Sequence, residues 1–401
     1  MNASIIDVKK NNIKNILDAV RFSDSTKKDI AADLGISFAT VSNICNELKE
    51  LDLIIDEDME MLSVGRTPKI IRFNRNKFIT LCFDLHTTQH ITIAALNLCS
   101  EILFKRKFPF NHLDSLQEFV NYCFTLYSSI KDEICVSGQA ILGLAVAVSA
   151  KFDINTQRTI FSELPLFENK PLKQMFENAF GLPVYIENES SLSVSAVQSK
   201  TGMKNLLYVF PSEGLGVGVT INGHLLTGER GYASEICHIP IGNPEITCRL
   251  CGQMGCIESD LCTRGFVTSY LGRIEMTPEE VRVGWNDFLK EMKSGSGRVE
   301  KIIEQKGEYL GVLLSVLINL FDPATVYLGG IIPVMFDKIY DPMFKALQAR
   351  LLAKDIYNID IRPDNLGEDS VLVGCSEMVY QKFLFSETNY FKQSHKGAQC
   401  L

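Results

Sequence analysis

Gly231-Tyr-Ala-Ser-Glu235-Ile-Cys-His238 and, ten residues beyond His238, Cys248-Arg-Leu-Cys251-Gly-Gln-Met-Gly-Cys256-Ile-Glu258 form the stretch on which the reading of this chain turns. One histidine and three cysteines fall within 19 positions, two of the cysteines as C-x-x-C. That inventory and spacing predict a closed tetrahedral site with His238, Cys248, Cys251 and Cys256 as ligands and one structural zinc per chain. Gly252 and Gly255 let the backbone turn tightly enough for sulfurs so close in sequence to converge. With four ligand positions filled, Glu235 and Glu258 are left to face a polar cleft that the metal braces.

Composition sets the outer limits. A chain of 401 residues, 46% of them hydrophobic, is long enough for two or three domains with their own cores. A formal charge of −8 excludes a protein that coats nucleic acid generally, but it can hide a small DNA-binding module. Twelve cysteines raise the question of disulfides. The first residues lack the apolar core of a secretory signal, and no apolar run is long enough to span a membrane. Cys82, Cys99, Cys123 and Cys135 sit singly in apolar settings and read as small buried hydrophobes. The expectation is a reduced, cytoplasmic protein with no membrane partner.

Residues 1–77 read as a separate module. Ile13, Ile16, Leu17 and Val20 recur at helical spacing, and Thr26-Lys-Lys-Asp29 resembles a capping box opening a second helix. Gly35 supplies a turn, and Ser37 can cap a third helix, Phe38 to Leu48, with Val41, Ile44 and Leu48 on its buried face. Helix, short turn and capped helix is the helix-turn-helix pattern. Leu53-Ile-Ile55 and Lys69-Ile-Ile-Arg-Phe73 supply two strands of a wing. The module carries twelve basic and twelve acidic residues, yet Met61 to Lys77 holds five basic residues (Arg66, Lys69, Arg72, Arg75, Lys77) and no acid. Phosphate contacts are expected from that strip. Phe38, Ala39, Thr40, Ser42, Asn43 and Asn46 on the outer helix face suit thymine methyls and adenine edges.

Beyond Asn76, Phe78–Asp84, Gln89–Asn97 and Ile102–Phe108 read as three successive strands, followed by helix, buried strand (Ile141–Val148), helix and buried strand (Leu182–Ile186). The pattern recurs from Leu206–Phe210 through Thr325–Leu328. Two copies of one unit facing each other predict a two-lobed α/β architecture with ligands between the lobes.

These residues together resemble the ROK family of repressors and sugar kinases. The Glu235-Ile-Cys-His238 box and the cysteines ending at Cys256-x-Glu258 are similar to its signature. Two departures occur: Cys237 stands where the family has glycine, and two residues rather than one separate Cys248 from Cys251. The resemblance implies an actin/hexokinase-like (ribonuclease-H-like) ATPase fold in two lobes, preceded by a winged helix-turn-helix. The implied units are 1–77, a first lobe of 78–198 with about 370–385, a second lobe of 199–369, and a polar tail, 386–401. Gly65-Arg66-Thr67-Pro68 resembles the segment that carries a repressor's wing into the minor groove, and Ser37 to Ser42 resembles a recognition-helix start.

The family's kinases have an Asp-x-Gly-Gly-Thr turn; here it reads Asp84-Leu-His86-Thr87-Thr88. The second phosphate loop reads Ser212-Glu213-Gly214-Leu-Gly216-Val-Gly218, placing an acid where phosphate oxygens belong. Glu189 replaces the catalytic Asp, and misplacing a carboxylate by about 1 Å can cost orders of magnitude in rate. The Pro-Gly pair after the first buried strand is replaced by Ser149-Ala150, and only Leu328-Gly329-Gly330 is intact. No catalysis is expected. Asn188, Glu189, Glu235, His238 and Glu258 match the family's sugar-binding positions. The expectation is therefore a repressor of carbohydrate-utilisation genes, a homodimer or homotetramer on double-stranded operator DNA, modulated by a sugar or sugar-phosphate effector. The competing expectations are a sugar kinase with an added DNA-binding module and a repressor controlled by a protein partner.

Overall fold

The computed structural model describes residues 5–58, 69–110, 113–134, 139–162, 164–352 and 359–385. Gly65, Arg66, Thr67 and Pro68 of the expected wing, and the tail from residue 386, lie outside the described residues.

The chain opens with α1 (Ile5–Arg21), β1 (Ser25–Thr26), α2 (Lys27–Leu34), α3 (Phe38–Glu50), β2 (Ile54–Asp58) and β3 (Lys69–Phe73). The caps are those the sequence dictates: Thr26 accepts a hydrogen bond from Asp29 N and Ser37 accepts one from Thr40 N, each satisfying an orphan donor of a first turn. Val41, Ile44, Cys45 and Leu48 line one face of α3 and pack with Ile16, Leu17, Val20 and Ile30. The strands form one sheet in the order β1-β3-β2, so α2 and α3 are followed by an antiparallel ribbon.

Next come β4 (Phe78–Leu85), β5 (His90–Asn97), β6 (Ile102–Pro109), α4 (Leu116–Ile134), β7 (Ala140–Val148), the short strands β8 (Lys151–Asp153) and β9 (Arg158–Ile160), α5 (Leu172–Phe180) and β10 (Val184–Asn188). Their sheet runs β10-β7-β4-β5-β6, antiparallel within the meander and parallel where β7 and β10 join. Strands β4 and β7 are buried along their whole lengths, β7 as a continuous apolar run and β4 with Thr80 and Asp84 among its buried residues.

After α6 (Glu189–Thr201) the plan repeats. Strands β11 (Leu206–Pro211), β12 (Leu215–Ile221) and β13 (His224–Leu225) form a second meander. Helices α7 (Glu258–Leu261), α8 (Thr263–Leu271), α9 (Pro278–Ser294) and α10 (Gly297–Phe321) precede β14 (Thr325–Leu328). The chain continues through α11 (Phe336–Gln348) and β15 (Asp360–Pro363) to α12 (Asp369–Phe385). The second sheet, β13-β12-β11-β14-β15, pairs in the same senses as the first: antiparallel, antiparallel, parallel, parallel. The two lobes are thus one topology used twice.

Helix α6 lies on the second sheet, α12 on the first, and the two helices pack on each other at the centre, where Ser193 and Ser370 hydroxyls meet at 3.1 Å. The last turn of α1 is tied to α12. Arg21 donates from both terminal nitrogens to Glu377 at 2.8 and 2.7 Å and from Nε to Leu98 O at 2.6 Å, and its guanidinium stacks 3.9 Å from the Tyr380 ring centroid. Both charged side chains are buried, at 2% and 4% exposure.

Candidate functional site

The residues from His238 to Glu258 fold as a short 3-10 turn (Ile236–His238) and a knuckle closed by an isolated bridge between Thr247 and Met254. Gly252 and Gly255 turn it with φ of +73° and +76°, the left-handed region in which a side chain is strained. His238, Cys248, Cys251 and Cys256 bring one donor atom each to within 4.8 Å of one another. Tetrahedral coordination with metal–sulfur distances of about 2.3 Å has ligand–ligand edges of about 3.8 Å. Cys251 Sγ and Cys256 Sγ are 3.5 Å apart, and Cys248 Sγ lies 3.7 Å from His238 Nδ1, so the donor set fits zinc. Burial pushes the Cys248 and Cys256 thiols above their ordinary range, and a cation among them supplies what holds buried sulfurs as thiolates. Nδ1 of His238 faces this cluster, leaving Nε2 toward Glu235 at 3.8 Å. The imidazole joins metal cluster and cleft.

The cleft between the lobes, about 450 Å³ counted out to solvent, is lined by all five expected sugar-site residues. The structure gives them different occupations. Asn188 caps α6, its Oδ1 accepting from Ser191 N at 2.9 Å and Ser190 Oγ at 2.7 Å, while its Nδ2 donates to Glu187 at 2.8 Å. Glu258, buried at the start of α7, accepts from Leu215 N at 3.4 Å, and its Oε2 lies 3.3 Å from Cys248 Sγ. Glu235 is 2.6 Å from Lys151 Nζ, a cross-lobe ion pair that sequence reasoning missed because the partners are 84 positions apart (235 − 151). Glu189 is 4% exposed, its Oε2 has no hydrogen-bond partner, and burial raises its pKa despite the nearby His86.

Beside this pocket, where phosphate loops would meet, the chain bonds to itself across the cleft. Thr88 donates from its backbone N and from Oγ1 to Glu213 Oε1, both at 2.8 Å. Burial would lower the pKa of His86, but its contact with Asp84 raises it to about 9, with Glu189 and Glu213 adding to the effect. The glycines that survive have packing reasons. A Cβ on Gly218 would sit 2.3 Å from Ser190 O, and one on Gly330, at φ +58°, 1.8 Å from Pro211 O. Their retention says nothing about nucleotide.

At the other end of the molecule, α3 presents Phe38 at 57% exposure, with Ser42 and Asn46 within reach of Lys27 Nζ at 3.4 and 3.5 Å. Ser37 and Thr40 hydroxyls hydrogen-bond each other at 2.8 Å within the cap. Of the four described basic residues from which phosphate contacts are expected, three are ion-paired: Arg72 with Asp24 and Glu57, Arg75 with Glu101, and Lys77 with Asp52. Such exposed pairs are weak in water, so a phosphate can displace them.

Three comparisons with known proteins bear on this site. A model of the ROK family matches residues 81–382. The chain is similar to the xylose repressor of Caldicellulosiruptor bescii, 24% identical over 383 residues covering 93% of this chain and 95% of that protein. Its similarity to the glucokinase of Streptomyces coelicolor, 27% over 253 residues, covers 59% of this chain and 80% of that protein. Among solved structures, a ROK family transcriptional regulator, a homolog of the E. coli MLC protein, superposes with a TM-score of 0.77 at 20% identity, covering 94% of this chain and 97% of that one. The span matched by the family model is well over half of the 401 residues, and the chain belongs to the ROK family.

Proposed function

We propose that the protein is a transcriptional repressor of sugar-utilisation genes whose DNA affinity is set by a sugar bound between the lobes. The observation that carries this reading is the pairing of an acidic, metal-buttressed pocket with a phosphate site already occupied by Glu213. A kinase needs that site open and needs glycine where His86 and Thr87 stand. The full-length similarity to proteins named xylose repressor supports the same reading and makes xylose the first sugar to test.

In this reading residues 1–77 bind operator DNA, with Ser37, Phe38, Ala39, Thr40, Ser42 and Asn43 toward the major groove and Gly65-Arg66-Thr67-Pro68 in the minor groove. Residues 78–198 with 370–385 form the first lobe and 199–369 the second. One structural zinc on His238, Cys248, Cys251 and Cys256 holds Glu235, His238 and Glu258 in place, while Asn188 and Glu189 complete the site. A homodimer or homotetramer presents paired helices to symmetric half-sites, and lobe closure changes their spacing. Glu189 has no catalytic role.

The test is a gel-shift titration at fixed salt together with a thermal-shift screen of sugars with and without Mg-ATP. A saturating sugar at 100 times its Kd contributes about 2.7 kcal/mol. Stabilisation by sugar alone with a change in operator affinity is the expected outcome; ATP-dependent stabilisation with phosphorylated product defeats the reading.

A further inference from the structure

Eight described residues other than glycine have positive φ. Six, Asp52, Ser100, Gln157, Asn169, Asn222 and Asp322, lie outside the lining of the cleft. The other two, Phe161 (φ +48°) and Ser234 (φ +70°), both line the cleft, one from each lobe. Left-handed backbone strains a non-glycine residue, and such strain persists where the surroundings enforce it. Phenylalanine has no side-chain hydrogen bond to offset that cost, and this one is also 54% exposed. Its ring packs edge-on against Tyr232, centroids 6.5 Å apart, and the Tyr232 hydroxyl is tied to Asp153. The ring is thus held with aromatic surface turned to the cleft. In the same lining, Ser234 Oγ is shielded from solvent and has no hydrogen-bond partner, and the same holds for Glu189 Oε2. A buried hydroxyl and a buried carboxyl oxygen, both unpaired and both in the cleft wall, are costly unless a ligand satisfies them.

The charges of the lining narrow the ligand. Glu189, Glu235 and Glu258 contribute three carboxyl groups, and the ammonium of Lys151 already lies 2.6 Å from Glu235. A phosphorylated or carboxylated sugar would bring more negative charge to a wall that has committed its lysine. An uncharged pyranose brings what the wall lacks: hydroxyls for Ser234 and Glu189, and a face of axial C–H bonds for an aromatic ring, whose π face carries the negative end of its quadrupole.

We infer that Phe161 and Ser234 form a two-sided clamp that selects an uncharged aldopyranose, Phe161 stacking on its apolar face and Ser234 hydrogen-bonding a ring hydroxyl. The inference rests on the sugar-sensor reading above and adds the ligand's charge class and two residues that set specificity. Because the residues belong to different lobes, one bound ring ties both together.

The test is thermal shift and calorimetric titration of the full-length protein with D-xylose, D-glucose, D-galactose and glucose 6-phosphate. The wild type responds to at least one of the three neutral sugars and not to the phosphate. Ser234→Gly removes strain, so the free variant melts at the same temperature or higher while binding that sugar about tenfold more weakly. A residue that merely supported the loop would lose both together. Phe161→Ala weakens binding about tenfold, whereas Phe161→Trp keeps it. In a Trp285→Phe background, which removes the chain's only tryptophan, the new indole changes its emission when sugar is added. Wild-type affinity in both Ser234→Gly and Phe161→Ala, or a lower melting temperature of free Ser234→Gly, overturns the clamp and leaves the sensor intact. A response to glucose 6-phosphate alone overturns the charge class, and no response of the wild type to any sugar overturns clamp and sensor together.

Discussion

His86 shows how one substitution changes what a turn can do. Its ring binds Asp84, whose Oδ1 also accepts from the His86 backbone N at 3.2 Å, so the turn is closed on itself by side chain and backbone together. Its pKa of about 9 lies above the ordinary value of 6.5, so the favourable contribution of its protonated form is complete below about pH 6.5 and is lost as pH rises through about 9. Denaturant midpoints measured from about pH 6 to about pH 9.5 should fall more steeply for the wild type than for His86→Gln. Equal slopes would mean that the ring is not held as a cation. The surviving glycines mislead in the opposite direction. Gly218 and Gly330 read in sequence as relics of nucleotide binding, and only the coordinates show Ser190 O and Pro211 O occupying the space a side chain would need. A motif glycine carries two meanings, and sequence cannot separate close packing from phosphate approach.

At the level of elements, legibility followed periodicity. The buried strand β7 is a continuous apolar run, β4 and β14 are short and largely apolar, and α2 and α3 are bounded by caps whose chemistry is local. Helix α6 gives no such signal. Its Glu-Ser-Ser-Leu-Ser-Val-Ser-Ala-Val sequence has no apolar stripe because it is covered on several sides, by β11, β12 and α12, and small residues fill the gaps. The tie between α1 and α12 was equally hidden, since Arg21 and Glu377 are 356 positions apart. Removing one member of a buried pair leaves the other charge uncompensated, typically at about 3–5 kcal/mol. Glu377→Gln should therefore lower stability by about that much, read from denaturant unfolding, and Arg21→Met with Glu377→Met should recover much of it. A loss under about 1 kcal/mol would show that water reaches the pair.

On the scale of the whole molecule, the donor set that fits zinc stands between two functions, because His238 turns one nitrogen to the cysteines and the other to the cleft. Cys251→Ala should reduce bound zinc from one per chain to none by elemental analysis. It should also cost several kcal/mol of stability and abolish thermal stabilisation by sugar, since Glu235, His238 and Glu258 lose their brace. Retained zinc would place the metal on other ligands. The cluster was legible because its four ligands lie within 19 positions, whereas Lys151, Phe161 and Thr88 reach the cleft from the other lobe and announce themselves by no spacing.

The Arg21 anchor also bears on how such proteins can be recombined. The N-terminal helices and their ribbon invite transplantation, and the composition change after Asn76 is an obvious place to cut. A graft of residues 1–77 onto a foreign body would carry with it a guanidinium stripped of Glu377, of the Leu98 carbonyl and of the Tyr380 ring. The donor body would keep a buried carboxylate that has lost its cation and retains the Ser100 hydroxyl at 2.7 Å. A chimera designer should therefore move Leu98, Ser100, Glu377 and Tyr380 along with the module, or replace Arg21 with an apolar residue before making the cut.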